Sequence, residues 1–216
     1  MENPKAKSDP RTLRTKLYLR CALVKLMDTK SVRDISIKDL IETAQITRST
    51  FYLHYLDKAD FIDKIIDDVL TEYEWKVERF DELPYRESIF QRAKAFFTYI
   101  AENAGLYRAM LGKNGVPAFR IRMQQIGLNY FYSRYLPAVL ENNTLDKNGH
   151  DVHIDFQILA NYIVSAKMGI VDYWLNSGMK LSPDYLAQVT SEYVYTLVVK
   201  SHNIICLLYT SDAADE

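Results

Sequence analysis

Apolar residues recur at helical spacing along nearly the whole chain. Leu19, Ala22, Leu23, Leu26 and Met27 follow the i, i+3, i+4, i+7 rule of one buried stripe, which predicts a helix from Arg11 to about Asp28. Ile37, Leu40, Ile41 and Ala44 mark a second helix of about two turns, and Arg48 to His54 a third, with Phe51 pointing inward. Phe61, Ile62, Ile65, Ile66, Val69 and Leu70 carry a long helix from Lys58 to about Phe80. Ile89, Phe90, Ala93, Phe96, Phe97 and Ile100 predict the next, Arg86 to Asn103, with Gly105 as its stop. A short helix over Leu106–Leu111, a loop at Gly112–Gly115 and an aromatic-rich helix from Val116 to Leu140 follow. The segments Asp151–Asn176 and Pro183 onward are apolar on nearly all sides, so a lone chain of this size leaves part of them for a partner. The expected fold is all-α, about nine helices in all.

The polar positions punctuate this pattern. Ser36 is a good N-cap, with Asp39 three residues on falling just short of the usual capping box, which has Glu or Gln there. Gln45-Ile46 makes a turn, with Ile46 expected between the two helices; Thr47 is the next N-cap and Asp57 the one after. Two short helices joined by a tight turn form the helix-turn-helix unit, whose second helix enters the major groove of DNA. Outside its core positions, Ser36–Lys58 is built of hydroxyls, phenols, a histidine and cations, groups that donate to phosphates and base edges.

Charge sharpens the picture where composition does not. The net charge is −1, but residues 1–58 carry +5 and residues 59–216 carry −6. A basic head on an acidic body suits a polyanion-binding head. Residues 4–10 read as a disordered basic arm, after which Thr12, Arg14 and Lys16 sit where a helix start can face a phosphate. No stretch is long and apolar enough to span a membrane, and the polar first residues lack a signal-peptide centre, so a cytoplasmic location is expected. Cys21 and Cys206 read as reduced core thiols.

The run TRSTFYLHYLDK after SIKDLIETAQI resembles the DNA-binding domain of the TetR family of bacterial transcriptional regulators, over about Thr12 to Asp68. One departure is Gln45, where that family often has Gly; a left-handed backbone there costs Gln about 1 kcal/mol. The resemblance implies a three-helix DNA-binding domain over residues 11–57 and a helical effector-binding and dimerisation domain over residues 58–205. It implies that Arg48, Ser49 and Thr50 face the groove, that Thr47, Tyr52, His54, Tyr55 and Lys58 face phosphates, and that Ser36 and Lys38 hold the flanking backbone. The implied partners are a palindromic double-stranded operator, a second copy docked through the last two helices, and a small-molecule effector. The effector would act on the heads through the Lys58–Phe80 helix.

Tyr99, Tyr107, Met110, Phe119, Met123, Tyr130, Tyr162, Tyr173 and Trp174 are the side chains suited to an effector pocket, although aromatic positions at helical spacing are more often plain core. His150, Asp151, His153 and Asp155 are crowded, yet acids at a helix start simply suit the dipole, so no metal or other cofactor is expected. No phosphate loop, nucleophile elbow or motif carboxylate pair is present, so no enzymatic role is expected. The competing reading is a helical protein that keeps the head as a fold but acts through protein contacts. The helical pattern stops near Cys206, and residues 206–216 read as a non-native or disordered tail.

Overall fold

The computed structural model describes residues 9–78, 80, 83–140 and 152–211. Among these residues the chain is all-helical: α1 (Pro10–Met27), α2 (Ile37–Ala44), α3 (Arg48–Tyr52), α4 (Lys58–Glu78), α5 (Tyr85–Glu102), α6 (Ala104–Leu111), α7 (Pro117–Leu140), α8 (Val152–Asn176) and α9 (Pro183–Ser211). The chain divides into two compact units. The head unit comprises residues 1–81 and 99–120, and the body unit residues 82–98 and 121–216.

The head core is the set of stripes that the apolar spacing marks out. Leu19, Ala22, Leu23 and Met27 of α1 are buried, as are Leu40 and Ala44 of α2, Phe51 of α3, and Phe61, Ile62, Ile65, Ile66, Val69 and Leu70 of α4. The α1 start is fixed by Asp9, whose side chain accepts from Arg11 N, with Pro10 supplying the preset first-turn φ. Helix α1 therefore reaches into the stretch that reads as a disordered arm; residues 4–8 lie outside the described residues. Tyr99, Tyr107 and Phe119 stack edge-on in the same unit, with centroids 6.3 and 5.3 Å apart, and the Tyr99 hydroxyl donates to Val69 O at 3.0 Å.

The body unit packs Ile89, Phe131, Phe156, Ala160 and Ile163 into one cluster. Gly127 lets α7 approach α8, since a Cβ there would meet a Val164 methyl at 3.2 Å. Helix α5 is tied to α9 by Arg86–Glu192 and Lys94–Asp184, at 2.7 and 2.9 Å. Trp174 is buried against Phe97, centroids 5.7 Å apart, and donates to Leu181 O at 2.9 Å.

Several sequence expectations change. Gly105 lies inside α6 rather than ending α5; the break falls two residues earlier, at Asn103, whose side-chain amide donates back to Tyr99 O at 2.9 Å. Cys21 is an exposed free thiol, because the buried stripe of α1 runs through Ala22 and Leu23 beside it. Helix α9 continues through Ser211, past Cys206, since the intervening CLLYT contains no residue that breaks a helix. The side chains of His153 and Asp155, with residues 150 and 151, lie outside the described set.

Candidate nucleic-acid interface

The helix-turn-helix is assembled by local caps. Ser36 Oγ accepts from Asp39 N at 3.1 Å, and Asp39 Oδ2 accepts from Ser36 N at 2.8 Å. Aspartate thus completes a full capping box at the start of α2 despite being one methylene shorter than glutamate. The Ser36 backbone and hydroxyl bonds, with Lys30 alongside, hold the Asp39 carboxyl down at about 2. Its charge therefore persists over the whole working pH range.

Gln45 ends α2 in the left-handed region, φ 56° and ψ 43°, as the departure from Gly anticipates. Its N–H donates to Glu42 O at 3.3 Å, and the Ile46 N–H returns to Ile41 O at 3.0 Å. Ile46 itself is half-buried. Gln45→Gly removes the Cβ crowding of this conformation and is expected to stabilise the protein by about 0.5–1 kcal/mol. Urea unfolding should show a higher midpoint at unchanged slope; an unchanged or lower midpoint would contradict the strain argument.

Thr47 then caps α3, its Oγ1 accepting from Thr50 N at 3.1 Å and lying 2.8 Å from both Ser49 Oγ and Thr50 Oγ1. Helix α3 has only five residues, ending at Tyr52 rather than His54, and has no autonomous stability at that length. Its position is set by Phe51, fully buried, whose ring meets Tyr55 at 5.4 Å and Phe61 at 5.7 Å between centroids. With Phe51 inward, Thr47, Arg48, Ser49 and Tyr52 face out, and Thr50 is half-buried. Arg48 lies along Tyr52, Nη2 donating to the phenol oxygen at 3.4 Å, so both donors share one face one turn apart.

Lys38 stands exposed on α2, 3.8 Å from Glu42, an i,i+4 pair that solvent screens. Ser36 is exposed as well, although its hydroxyl serves the cap. His54 is half-buried, and its carbonyl accepts from Lys64 at 3.2 Å.

Two side chains that the resemblance assigns to phosphates are engaged within the chain instead. Tyr55 is buried, stacked edge-on to Phe61 at 4.9 Å, and desolvation, reinforced by Asp68 and Asp60, pushes its phenol up to about 12. Its ring is core, because the turn after α3 aims it at α4. Lys58 points back under the motif. Its ammonium donates to the carbonyls of Val32, Arg33 and Ile35 at 3.2, 2.9 and 2.8 Å. Three donors on three acceptors use its whole hydrogen-bonding capacity and pin the loop before α2 to the start of α4. Lys16 is likewise engaged, 2.8 Å from Asp68 on α4.

Leu53 and Leu56 escape sequence reasoning altogether. They are 80% and 81% exposed and border the outward face of α3. The available signal was their place outside both apolar stripes.

The side chains expected to line an effector pocket are divided between the two units. Tyr99, Tyr107, Met110 and Phe119 are buried within the head unit, and Met123 and Trp174 are buried in the body unit with Tyr130 half-buried. Tyr162 and Tyr173 are corrections: both stand more than half exposed on the outer face of α8 and line no interior.

Comparison with known proteins places this arrangement. A family model of TetR type, described as a transcriptional regulator C-terminal region, matches residues 87–196. An uncharacterized helix-turn-helix-type transcriptional regulator of Bacillus subtilis, YxbF, is 22% identical over 178 residues, covering 80% of this chain and 43% of that protein. The chain thus spans less than half the length of this curated relative. A TetR-family transcriptional regulator from Syntrophomonas wolfei superposes with TM-score 0.61 at 14% identity, covering 87% of this chain and 96% of its own. The fatty acid degradation regulator FadR of Bacillus halodurans gives 0.64 at 14%, covering 89% and 96%. At such identities the structural likeness speaks to the fold.

Proposed function

Since the chain belongs to the TetR family of transcriptional regulators, we propose that it is a cytoplasmic repressor that holds a palindromic operator as a homodimer and leaves it when a small-molecule effector binds. The observation that carries the reading is the outward face of α3. Phe51 anchors the helix inward, and the face left over consists of Thr47, Arg48, Ser49 and Tyr52, all hydrogen-bond donors. Arg48 reads a base edge, guanine being its best bidentate partner, while Thr47, Tyr52 and His54, with Lys38 on α2, donate to phosphates. Leu53 adds an apolar contact suited to a thymine methyl.

Dimerisation is supported by the outer faces of the last two helices. Ile158, Tyr162 and Tyr173 of α8 and Tyr185 and Tyr193 of α9 are more than half exposed, an apolar surface suited to a second copy. Gly169 lies between them with nothing within 4 Å of a built Cβ, leaving room for a partner helix. An effector acts only if it binds more tightly to the dimer whose heads are off the DNA.

Selection of bound fragments from random duplex DNA tests the reading. Enrichment of an imperfect palindrome, with half-sites about one helical turn apart, is expected. A folded dimer that enriches no such site overturns it. On the enriched site, Arg48→Ala should weaken binding by about 1–3 kcal/mol and relax preference at one base pair per half-site, leaving thermal stability unchanged.

A further inference from the structure

Helix α6 and the turn after it belong to the head unit, where they run beside α1. The Asn103 side chain, just ahead of α6, accepts from Arg20 of α1. A Cβ on Gly105 would meet a Val24 methyl at 3.6 Å. Past the end of α6, the Asn114 carbonyl accepts from the Val32 N–H at 3.3 Å. These contacts advance together along both segments, and the last reaches the loop that leads into the Ser36 cap of α2. The turn presenting the Asn114 carbonyl is tightly closed. Gly112 O accepts from Gly115 N, and Met110 O from Val116 N, each at 2.9 Å, which puts Lys113 and Asn114 at the corner. A Cβ on Gly112 would lie 2.6 Å from Arg108 O, and one on Gly115 2.1 Å from Met110 O. Both obstacles are backbone, so any larger residue displaces the turn. Val32 stands at a corner too, in a turn closed by Asp34 N and Ser31 O at 2.9 Å. Both of its backbone groups are held from outside that turn, the N–H by Asn114 and the carbonyl by Lys58.

We propose that the α6–α7 turn is a positioning element of the DNA reader, a clasp in which the Asn114 carbonyl fixes the loop ahead of α2 and with it the angle at which α2 and α3 are presented. The inference rests on the reading that the chain binds a specific DNA site, and it gives Val32, Asn114, Gly112 and Gly115 a part in that binding although all four lie outside Ser36–Lys58. Lys58 by itself cannot set the angle. Its ammonium gathers the carbonyls of Val32, Arg33 and Ile35 onto one point, and a loop held at one point can still swing about it. A second attachment, on the N–H of Val32, removes that swing. The angle matters because hydrogen bonds to base edges weaken steeply once donor and acceptor fall out of line. Phosphate contacts made by long side chains follow a tilted head more easily. The clasp therefore serves recognition of a particular sequence more than attraction to DNA in general.

Val32→Pro in the full chain removes the donor alone. Proline suits the second position of a turn, where Val32 stands, so the Asp34–Ser31 bond and the carbonyl held by Lys58 remain. Val32→Ala is the control, since it trims the side chain and keeps the N–H. On the operator enriched from random duplex DNA, Val32→Pro should bind about fivefold or more weaker than Val32→Ala. Affinity for unrelated duplex, carried by phosphates, should be equal for the two. Hydrogen exchange gives a second measurement. Gly115→Ala displaces the turn and should speed exchange of the Val32 amide about tenfold while the Asp34 amide keeps the parent's rate. If that variant fails to fold, the proline and alanine pair still decides the matter. Operator affinity of Val32→Pro equal to or above that of Val32→Ala overturns the clasp. So does an equal loss on operator and unrelated duplex, or a Val32 amide whose exchange Gly115→Ala leaves unchanged. A parent that enriches no operator sinks the DNA reading instead, and the Val32 exchange rate then decides the clasp by itself.

Discussion

Phe51→Ala is expected to cost about 3–5 kcal/mol of stability and to remove specific DNA binding with it. The ring is fully buried and touches Tyr52, Tyr55 and Phe61, so its loss opens a cavity at the junction of α3 and α4. A five-residue helix cannot compensate from its own hydrogen bonds, and the Thr47 cap adds only about 1 kcal/mol. The reader helix therefore has no position of its own once Phe51 is gone. Phe51→Leu, which fills most of the space, should cost far less and keep operator binding. Denaturant unfolding and operator titration on the same variants check this. The contrast with Arg48→Ala is diagnostic, because that change loses affinity without stability. If Phe51→Ala unfolded at the parent's midpoint, the claim that one ring places the interface would be wrong.

Much of this arrangement was legible in the sequence because it is set locally. Ser36, Thr47 and Asp57 announce the starts of α2, α3 and α4 through bonds that reach three residues, as Asp57 Oδ1 does to Asp60 N at 2.8 Å. Stripe spacing likewise fixes which face of α1, α2 and α4 is core. What the sequence does not disclose depends on distant partners. Tyr52 and Tyr55 are the same residue type three apart, and only the position of Phe61 makes one a surface donor and the other core. Helix α8 is apolar on nearly every side, so periodicity cannot say that Tyr162 and Tyr173 face outward while Trp174 faces in.

Lys58 is the sharpest case, and it separates two physical roles by experiment. A lysine at the start of α4 that serves only a phosphate contributes to affinity and to its salt dependence, and nothing to folding. Its removal would lower the salt slope by about one and leave stability alone, and arginine would replace it. The observed ammonium is instead shared among the carbonyls of Val32, Arg33 and Ile35, 23 to 26 residues away in sequence. Lys58→Met deprives three carbonyls of a charged donor at once. Water reaches the exposed Arg33 carbonyl more readily than the part-buried pair, so the expected loss is about 2–4 kcal/mol rather than the full sum of three charged bonds. Lys58→Arg should not restore it, because a planar guanidinium fork cannot serve three carbonyls converging on one point. Stability measured by urea unfolding and affinity measured across salt concentrations then divide the outcomes. A stability loss that arginine fails to rescue identifies a clamp that holds the loop ahead of α2 against α4. A changed salt slope at parental stability, rescued by arginine, returns Lys58 to the phosphates and leaves the orientation of α2 to the Ser36–Asp39 capping box and the packing of Leu40 and Ala44.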